Sequence, residues 1–203
     1  MREVEFFYDL VSPYSYLAYG PLTRLCEERD AELVLRPVLL GALHKAAGIQ
    51  APIEAKAKSR YQWHDIHRWA EYYGAPLRFP DPFPFRTLTT MRAAMFCAGR
   101  GELGSFTREA FAFYWEEGGA PDGLEEVNEQ QPVTEVARRV GLDPDEVLRG
   151  AAVTENKEAL KESTSEALER GVFGAPTFFV GEEMYWGNDR LHFVEAALES
   201  EPT

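Results

Sequence analysis

The chain has 203 residues, of which 45% are hydrophobic and 27% charged, and this predicts a globular protein with one main domain and a sizeable core. Its 34 acidic and 21 basic residues give a net charge of −13 at pH 7, which argues against nucleic acids and anionic membranes as partners. The residues after Met1 lack the apolar segment of a signal peptide, and no stretch approaches the roughly 18 apolar residues of a transmembrane helix, so we expect a cytoplasmic protein.

The first predicted elements are a short strand and the helix that follows it. Residues 4–9 form an aromatic, apolar run that ends in a loop, which predicts a buried strand. Ser12 precedes Pro13, and proline is favoured in the first turn of a helix, so Ser12 is predicted to cap a helix that runs to about Arg29. A polar side chain at a helix N-terminus suits an anion or a thiol that must ionise. The alternative is that Ser12 only caps the helix.

The middle of the chain is almost wholly helical. Before it, a second strand over residues 32–39 completes a strand–helix–strand unit, which implies two parallel strands. The helices that follow are predicted at residues 41–47, 52–74, 87–98, 103–115, 133–140 and 144–148, with a proline-rich loop at 79–85 and a glycine-rich turn at 118–123.

The C-terminal part returns to alternating helix and strand. Its predicted elements are a charged helix, two hairpin strands and an amphipathic helix, at residues 154–170, 177–180, 184–186 and 191–198. This order predicts an α/β fold with a four-stranded mixed sheet. Residues 1–40 and 154–203 would form the sheet domain, and residues 41–153 an inserted helical domain.

Cysteine and histidine residues do not form a recognisable redox or metal motif. Cys26 and Cys97 lie far apart in helix-like stretches with apolar neighbours, so both are predicted to be buried fillers of the core. His64 and His67 are three residues apart on one predicted helix but lack a clear third ligand. We therefore predict neither a protein disulfide centre nor a metal site.

Four motifs in a fixed order resemble a known family. They are Phe7–Leu17, Ala57–Tyr61, Gly174–Phe178 and Gly187–Leu191. Together they are similar to the signatures of 2-hydroxychromene-2-carboxylate isomerases and kappa-class glutathione transferases, within the DsbA-like superfamily. The resemblance spans residues 4–198 and implies a thioredoxin-like four-stranded mixed sheet with a large all-helical insertion. It also implies a homodimer.

The same resemblance gives Ser12 a catalytic role. Ser12 and Ser15 stand where redox members of the fold carry their two cysteines, so disulfide exchange through a protein Cys-x-x-Cys motif is chemically excluded. In the isomerase and kappa families the reactive sulfur belongs to bound reduced glutathione. The hydroxyl of Ser12 is implied to donate a hydrogen bond to that sulfur.

Further glutathione-binding residues follow from the resemblance. Lys58 is implied to hold a glutathione carboxylate, and the backbone of Ala175, before a cis Pro176, to pair with the tripeptide like an added strand. Asn188 and Asp189 are implied to bind the γ-glutamyl end, with Asp189 opposite the ammonium group.

Ionising a thiol contributes little rate by itself. Lowering the thiol pKa by two units raises the thiolate fraction about 25-fold at pH 7. The accompanying loss of nucleophilicity lowers the rate about 8-fold, so that the net gain in rate is roughly 3-fold. The remaining rate must come from holding the second substrate over the sulfur. The candidates for this are Tyr14, Trp63 and Arg86, with Arg86 facing a substrate carboxylate. The alternatives are core packing for Trp63, together with Phe83, Phe85 and Trp115, and a solvated helix-start position for Arg86.

Three functions remain open from the sequence. The first is a glutathione-dependent isomerase that acts on a small aromatic, enone-like acid. The second is a transferase or peroxidase of kappa type on the same site. The third is a redox-inactive thioredoxin-fold module that binds a peptide beside Ala175 and Pro176.

Overall fold

A four-stranded sheet forms the centre of the protein in the computed structural model, which describes residues 2–49, 56–119 and 129–200. The strands are β1 (Arg2–Tyr8), β2 (Ala31–Pro37), β3 (Thr177–Val180) and β4 (Glu183–Trp186). Their order across the sheet is β2-β1-β3-β4. β1 runs parallel to β2, whereas β3 runs antiparallel to both β1 and β4. The predicted mixed sheet is therefore confirmed.

The described residues contain nine α-helices. They are α1 (Pro13–Glu28), α2 (Leu40–Ala46), α3 (Lys56–Tyr73), α4 (Leu88–Ala98), α5 (Leu103–Phe111), α6 (Gln131–Arg139), α7 (Pro144–Ala152), α8 (Thr154–Glu169) and α9 (Leu191–Glu199). The helix predicted over 103–115 changes to π-helical hydrogen bonding at Ala112–Glu116. The predicted start of α3 at residues 52–55 and the end of the predicted turn at 118–123 lie outside the described residues.

The two faces of the sheet bury different sets of side chains, because successive residues of a strand point to opposite sides. Phe6 and Tyr8 face the larger core, where they pack with α1, α5 and α9. Phe7 faces the smaller core and meets Phe179 with ring centroids 5.6 Å apart, beside Ala167 of α8. Helices thus cover both sides of the central strand, and the loop after β1 begins at the buried end of this strand.

The helices between β2 and α8 pack closely against one another. A Cβ atom on Gly150 of α7 would lie 2.1 Å from the ring of Phe96 of α4, so only glycine allows this approach. α4 also contacts α5, α6 and α8, which joins these helices to the covered sheet. The domain boundaries at 40/41 and 153/154 stay a prediction. Within the described ranges, no helix has the length and apolarity needed to cross a membrane.

Candidate active site

Ser12 lies at the corner between β1 and α1 and caps the helix, as predicted. It is 3% exposed, and its Oγ accepts a hydrogen bond from the N–H of Ser15 at 3.2 Å. The same hydroxyl donates to the carbonyl oxygen of Ala175 at 2.9 Å, across 163 residues of sequence. The Ala175–Pro176 peptide is cis, as predicted. The fold therefore joins the first helix and the loop before β3 through one hydroxyl group.

The turn that carries Asn188 and Asp189 is attached to this loop. The N–H of Gly187 donates to the carbonyl of Pro176 at 3.0 Å, and Gly187 has φ +102°, a left-handed conformation that favours glycine. The backbone carbonyl of Asn188 accepts the hydroxyl of Tyr73 at 2.8 Å. Four of the predicted glutathione-binding residues, Ser12, Ala175, Pro176 and Asn188, are therefore connected through short hydrogen bonds.

Two buried polar groups at this corner have no hydrogen-bond partner among the described residues. The hydroxyl of Ser15 is fully buried, and the side-chain amide nitrogen of Asn188 belongs to a residue that is 4% exposed. Buried polar groups in proteins are nearly always satisfied. Asn188 in particular presents an unused donor beside the Pro176 loop, which suits a ligand with a carboxylate or carbonyl oxygen.

A second carboxylate, Asp65, joins the site although the sequence motifs do not include it. The hydroxyl of Tyr14 donates to Asp65 Oδ2 at 2.9 Å, and that of Tyr61 to Oδ1 at 3.4 Å. Burial first, and then Asp65, raise the pKa of Tyr14, and the charge of Asp189 adds to this shift. Tyr14 thus stays protonated at neutral pH between two carboxylates. The only sequence signal was the spacing of Tyr61 and Asp65 by one helical turn.

Asp189 and Lys58 are both exposed to solvent. The carboxylate of Asp189 is 42% exposed and pairs with its neighbour Arg190. Lys58 is exposed near the start of α3, and within the described parts of the chain it forms no ion pair. Burial lowers the pKa of His44, and the positive charge of Lys58 lowers it further. Lys58 therefore lies near His44 of α2. Lys58 does not contact Ser12 directly.

Trp63 forms the outer end of a ladder of aromatic rings. It is 47% exposed, and its ring centroid lies 4.4 Å from that of Phe79 and 4.7 Å from that of His67. Phe79 in turn contacts Phe83 at 5.3 Å and the buried Trp115 at 5.4 Å. The exposed part of this ladder offers a flat apolar surface to an aromatic ligand.

Trp115 is a residue of the hydrophobic core. It is fully buried, and its indole N–H donates to the carbonyl of Leu10 at 2.8 Å. Core packing, the alternative left open for the aromatic residues, therefore holds for Trp115. Arg86 is 85% exposed and pairs with Glu129 at 3.0 Å, and both line a cleft of about 380 Å³ together with Phe85. This cleft does not include Ser12.

Cysteine chemistry is absent from the site. Cys26 and Cys97 are both free and buried, as predicted, and burial raises the pKa of their thiols to about 11 and about 12. Neither is a ready thiolate at neutral pH. In the described parts of the chain, no group of three or more His, Cys, Asp or Glu side chains is arranged to hold a metal ion.

Comparisons with known proteins agree with the geometry. The family described as the DSBA-like thioredoxin domain matches residues 3–199. A 2-hydroxychromene-2-carboxylate isomerase of Pseudomonas putida is 34% identical over 96% of this chain and 93% of its own length. Glutathione S-transferase kappa 1 of Homo sapiens is 28% identical over 97% of this chain and 91% of its own length.

A solved structure supports the same assignment. The structure of a 2-hydroxychromene-2-carboxylate isomerase superimposes with a TM-score of 0.85 at 31% identity, and the match covers 97% of this chain and 94% of that one. A probable DsbA oxidoreductase from Streptomyces coelicolor shares the fold at 20% identity with a TM-score of 0.74. The chain therefore belongs to the DsbA-like thioredoxin-fold family, among the enzymes that include 2-hydroxychromene-2-carboxylate isomerases and kappa-class glutathione transferases.

Proposed function

We propose that the protein is a glutathione-dependent isomerase of small aromatic, enone-like acids, of the 2-hydroxychromene-2-carboxylate type. The observation that carries this proposal is the Ser12 hydroxyl at the N-terminus of α1, hydrogen-bonded to the loop before cis Pro176. With serine also at position 15, the corner can polarise the thiol of a ligand but cannot form a disulfide of its own. The isomerases at 31–34% identity support the reaction type.

The residues around this corner fit reduced glutathione. The backbone of Ala175 and Pro176 would pair with the tripeptide, while the unused amide nitrogen of Asn188 would donate to a γ-glutamyl carboxylate oxygen. Asp189 would face the γ-glutamyl ammonium. Lys58, exposed and without an ion-pair partner in the described ranges, would hold a carboxylate at the opposite end.

Bound glutathione would supply a thiolate that forms a carbon–sulfur bond at the enone β-carbon as an electron pair moves to the carbonyl oxygen, then leaves by elimination after the carbon–carbon bond has rotated. Ser12 would turn its O–H from Ala175 to the sulfur, a substitution of one acceptor for another at the same site. The partial positive charge of the α1 N-terminus favours the thiolate. Ionisation would release the thiol proton to solvent once, and the addition and elimination need no further proton transfer, because the sulfur that adds is the sulfur that departs.

Substrate positioning must supply most of the rate, since thiol ionisation contributes only about threefold at neutral pH. Trp63 and Phe79 would stack on the aromatic ring of the substrate and contribute to its affinity, whereas groups that contact its oxygen atoms would set its position over the sulfur. Tyr14, held protonated beside Asp65, would turn its single O–H from Asp65 to an oxygen of the substrate. Arg86 would have to exchange Glu129 for a substrate carboxylate.

The test is a calorimetric titration of reduced glutathione followed by an assay of chromene-carboxylate interconversion. We expect binding to the wild type, and an isomerisation rate that depends on added glutathione while the total thiol concentration stays constant. Thiol consumption would instead identify a kappa-type transferase. Equal rates with and without glutathione would contradict the isomerase mechanism, and the absence of any glutathione binding would favour the redox-inactive peptide-binding module.

We also propose that the enzyme acts in the cytoplasm as a homodimer, as the family resemblance implies. Sedimentation equilibrium at micromolar concentration should give twice the 23.0 kDa mass of the chain. A monomer mass would contradict the dimer without bearing on the isomerase activity.

A further inference from the structure

The loop that leads from β1 to Ser12 is hydrogen-bonded to the starts of two helices that follow β2. The carboxylate of Asp9 is 3% exposed and accepts three hydrogen bonds. The N–H of Val11 donates to it at 3.2 Å, the N–H of Leu40 at 2.9 Å and the hydroxyl of Thr87 at 2.8 Å. Leu40 begins α2, and Thr87 directly precedes α4. One buried carboxylate therefore ties the loop to the starts of two other helices.

Trp115 also holds this loop. Its indole N–H donates to the carbonyl of Leu10 at 2.8 Å, and the side chain is fully buried. It belongs to the π-helical turn Ala112–Glu116. Its own backbone carbonyl accepts the N–H of Arg78 at 2.7 Å, and its ring contacts Phe79 and Phe83. The indole is therefore fixed in place by backbone and ring contacts before it reaches Leu10.

These bonds leave the Ser12 corner little freedom. Asp9, Leu10 and Val11 are each bonded through a carboxylate, a carbonyl or an N–H, and the N–H of Ser12 donates to the carbonyl of Asp9 at 3.0 Å. Ser12 is the next residue, and its hydroxyl must point at a ligand sulfur to act on it. A displacement of about 1 Å at a reacting group can cost about 100-fold in rate.

We propose that Trp115 and Asp9 are positioning residues that fix the Ser12 hydroxyl, so that the inserted helices, and not α1 alone, set the geometry of the thiol site. The inference rests on the proposed function in one respect, namely that Ser12 acts on a thiol. The π-helical turn at Ala112–Glu116 thereby has a role in catalysis. If Trp115 served core packing alone, the hydrogen bond from its indole N–H to Leu10 would not affect the reaction.

The neighbouring residue offers a matched control. Tyr114 lies in the same π-helical turn, is 2% exposed, and its hydroxyl bonds to that of Thr90 at 2.9 Å. Tyr114→Phe therefore removes one buried hydrogen bond of the same turn and keeps the bonds of Asp9, Leu10 and Val11 that hold the Ser12 loop. Trp115→Phe removes the indole N–H but also some volume. Site-specific replacement of Trp115 by benzothienylalanine removes the N–H and keeps the ring size.

The first measurement is the ultraviolet absorbance of the thiolate of bound glutathione, titrated against pH, together with steady-state kinetics. We expect both Trp115 replacements to raise the thiol pKa by about one unit. They should lower kcat at neutral pH about threefold to tenfold while KM for the aromatic acid changes less than about twofold. Tyr114→Phe should leave the thiol pKa and kcat unchanged. An unchanged thiol pKa with benzothienylalanine, or an equal shift with Tyr114→Phe, would overturn the proposal.

The second measurement does not depend on glutathione. Amide hydrogen exchange in the ligand-free protein is followed at Ser12 and Ser15 and normalised to the amide of Phe7 in β1, which corrects for any global loss of stability. We expect relative exchange to be about tenfold faster in the Trp115 variants than in the wild type, and to be unchanged in Tyr114→Phe. If relative exchange does not change, the positioning claim fails. If exchange changes but the wild type binds no glutathione, the proposed function fails and the positioning of the loop stands.

Discussion

The corner around Ser12 and the aromatic wall on α3 differ in how firmly they are built. At the corner, Ser12 is 3% exposed and its hydroxyl and N–H are both bonded within the protein. On the wall, Trp63 is 47% exposed, and its ring packs against Phe79 and His67. A thiol would therefore meet a fixed set of donors, whereas an aromatic substrate would meet a surface whose apolar side chains can shift at low cost.

This difference teaches where catalysis and where specificity reside. Preorganised donors in a buried corner contribute to rate, because they need no rearrangement during the reaction. A half-exposed apolar wall contributes mainly to affinity, and a change of one ring alters it by about 1 kcal/mol. Changes at the corner should therefore reduce kcat, and changes on the wall should raise KM.

The largest effect is expected for Ser12→Ala. Loss of the hydroxyl that would orient the reacting sulfur should lower kcat about 100-fold, well beyond the roughly 3-fold that thiol ionisation alone explains. Loss of the N-cap should also reduce the free energy of unfolding by about 1 kcal/mol. Steady-state kinetics and urea denaturation measure the two effects. Ser105→Ala, which removes a serine bonded to Glu102 at the start of α5, is the control and should retain full kcat. A loss of only threefold would reduce Ser12 to an ionising role.

Asp189→Asn should act on glutathione affinity rather than on rate. Because the carboxylate is 42% exposed, the loss is modest, about fivefold in the Kd measured by calorimetry. The effect should shrink at high salt, since solvent screens an exposed charge pair. Asp145→Asn, in the first turn of α7, should bind glutathione like the wild type. Unchanged affinity in Asp189→Asn would place the ammonium group of the ligand elsewhere.

Trp63→Leu tests the wall. We expect KM for the aromatic acid to rise about threefold, with kcat and the Kd of glutathione unchanged, because a stacking surface is lost far from the sulfur. Tyr72→Leu changes another exposed aromatic residue of the same helix, 77% exposed, and should leave KM unchanged. A drop in kcat with Trp63→Leu would show that this ring contributes to the rate as well as to affinity.

The smallest effect concerns the pH dependence of stability at Asp9. Burial raises the pKa of this carboxyl above its ordinary value, against the opposing effect of its hydrogen bonds. The folded state then binds the proton more tightly than the unfolded state, so ionisation of Asp9 costs stability as the pH rises above about 4. The loss continues until the pH passes the pKa of Asp9 in the folded state.

Urea denaturation of the wild type and Asp9→Asn across this range checks the sign. The free energy of unfolding of the wild type should fall relative to that of the variant as the pH rises. Glu183→Gln, which removes an exposed carboxyl on β4, is the control for the general effect of replacing one carboxyl by an amide. A difference between wild type and Asp9→Asn that stays constant with pH would mean that Asp9 has an ordinary pKa.

Much of the fold was predictable because its signals are local. Ser12 before Pro13 predicted the helix cap, and the aromatic, apolar run of β1 predicted the buried strand. The cis Pro176 followed from the resemblance of its motif. The change to π-helical bonding after Phe111 was not predictable, because it depends on contacts that Trp115 makes with distant segments.

Only the local features of the site were predictable from the sequence. The sequence by itself determined that Ser12 and Ser15 stand in a stretch without cysteine and that no Cys-x-x-Cys motif exists, which removes disulfide exchange through such a motif whatever the fold. Only the tertiary structure brought Asp65 to Tyr14, 51 residues away, and Trp115 to Leu10, 105 residues away. The reason is physical: a capping serine bonds to its own helix, whereas a buried carboxylate or indole takes whatever partner the packed helices place within 3 Å.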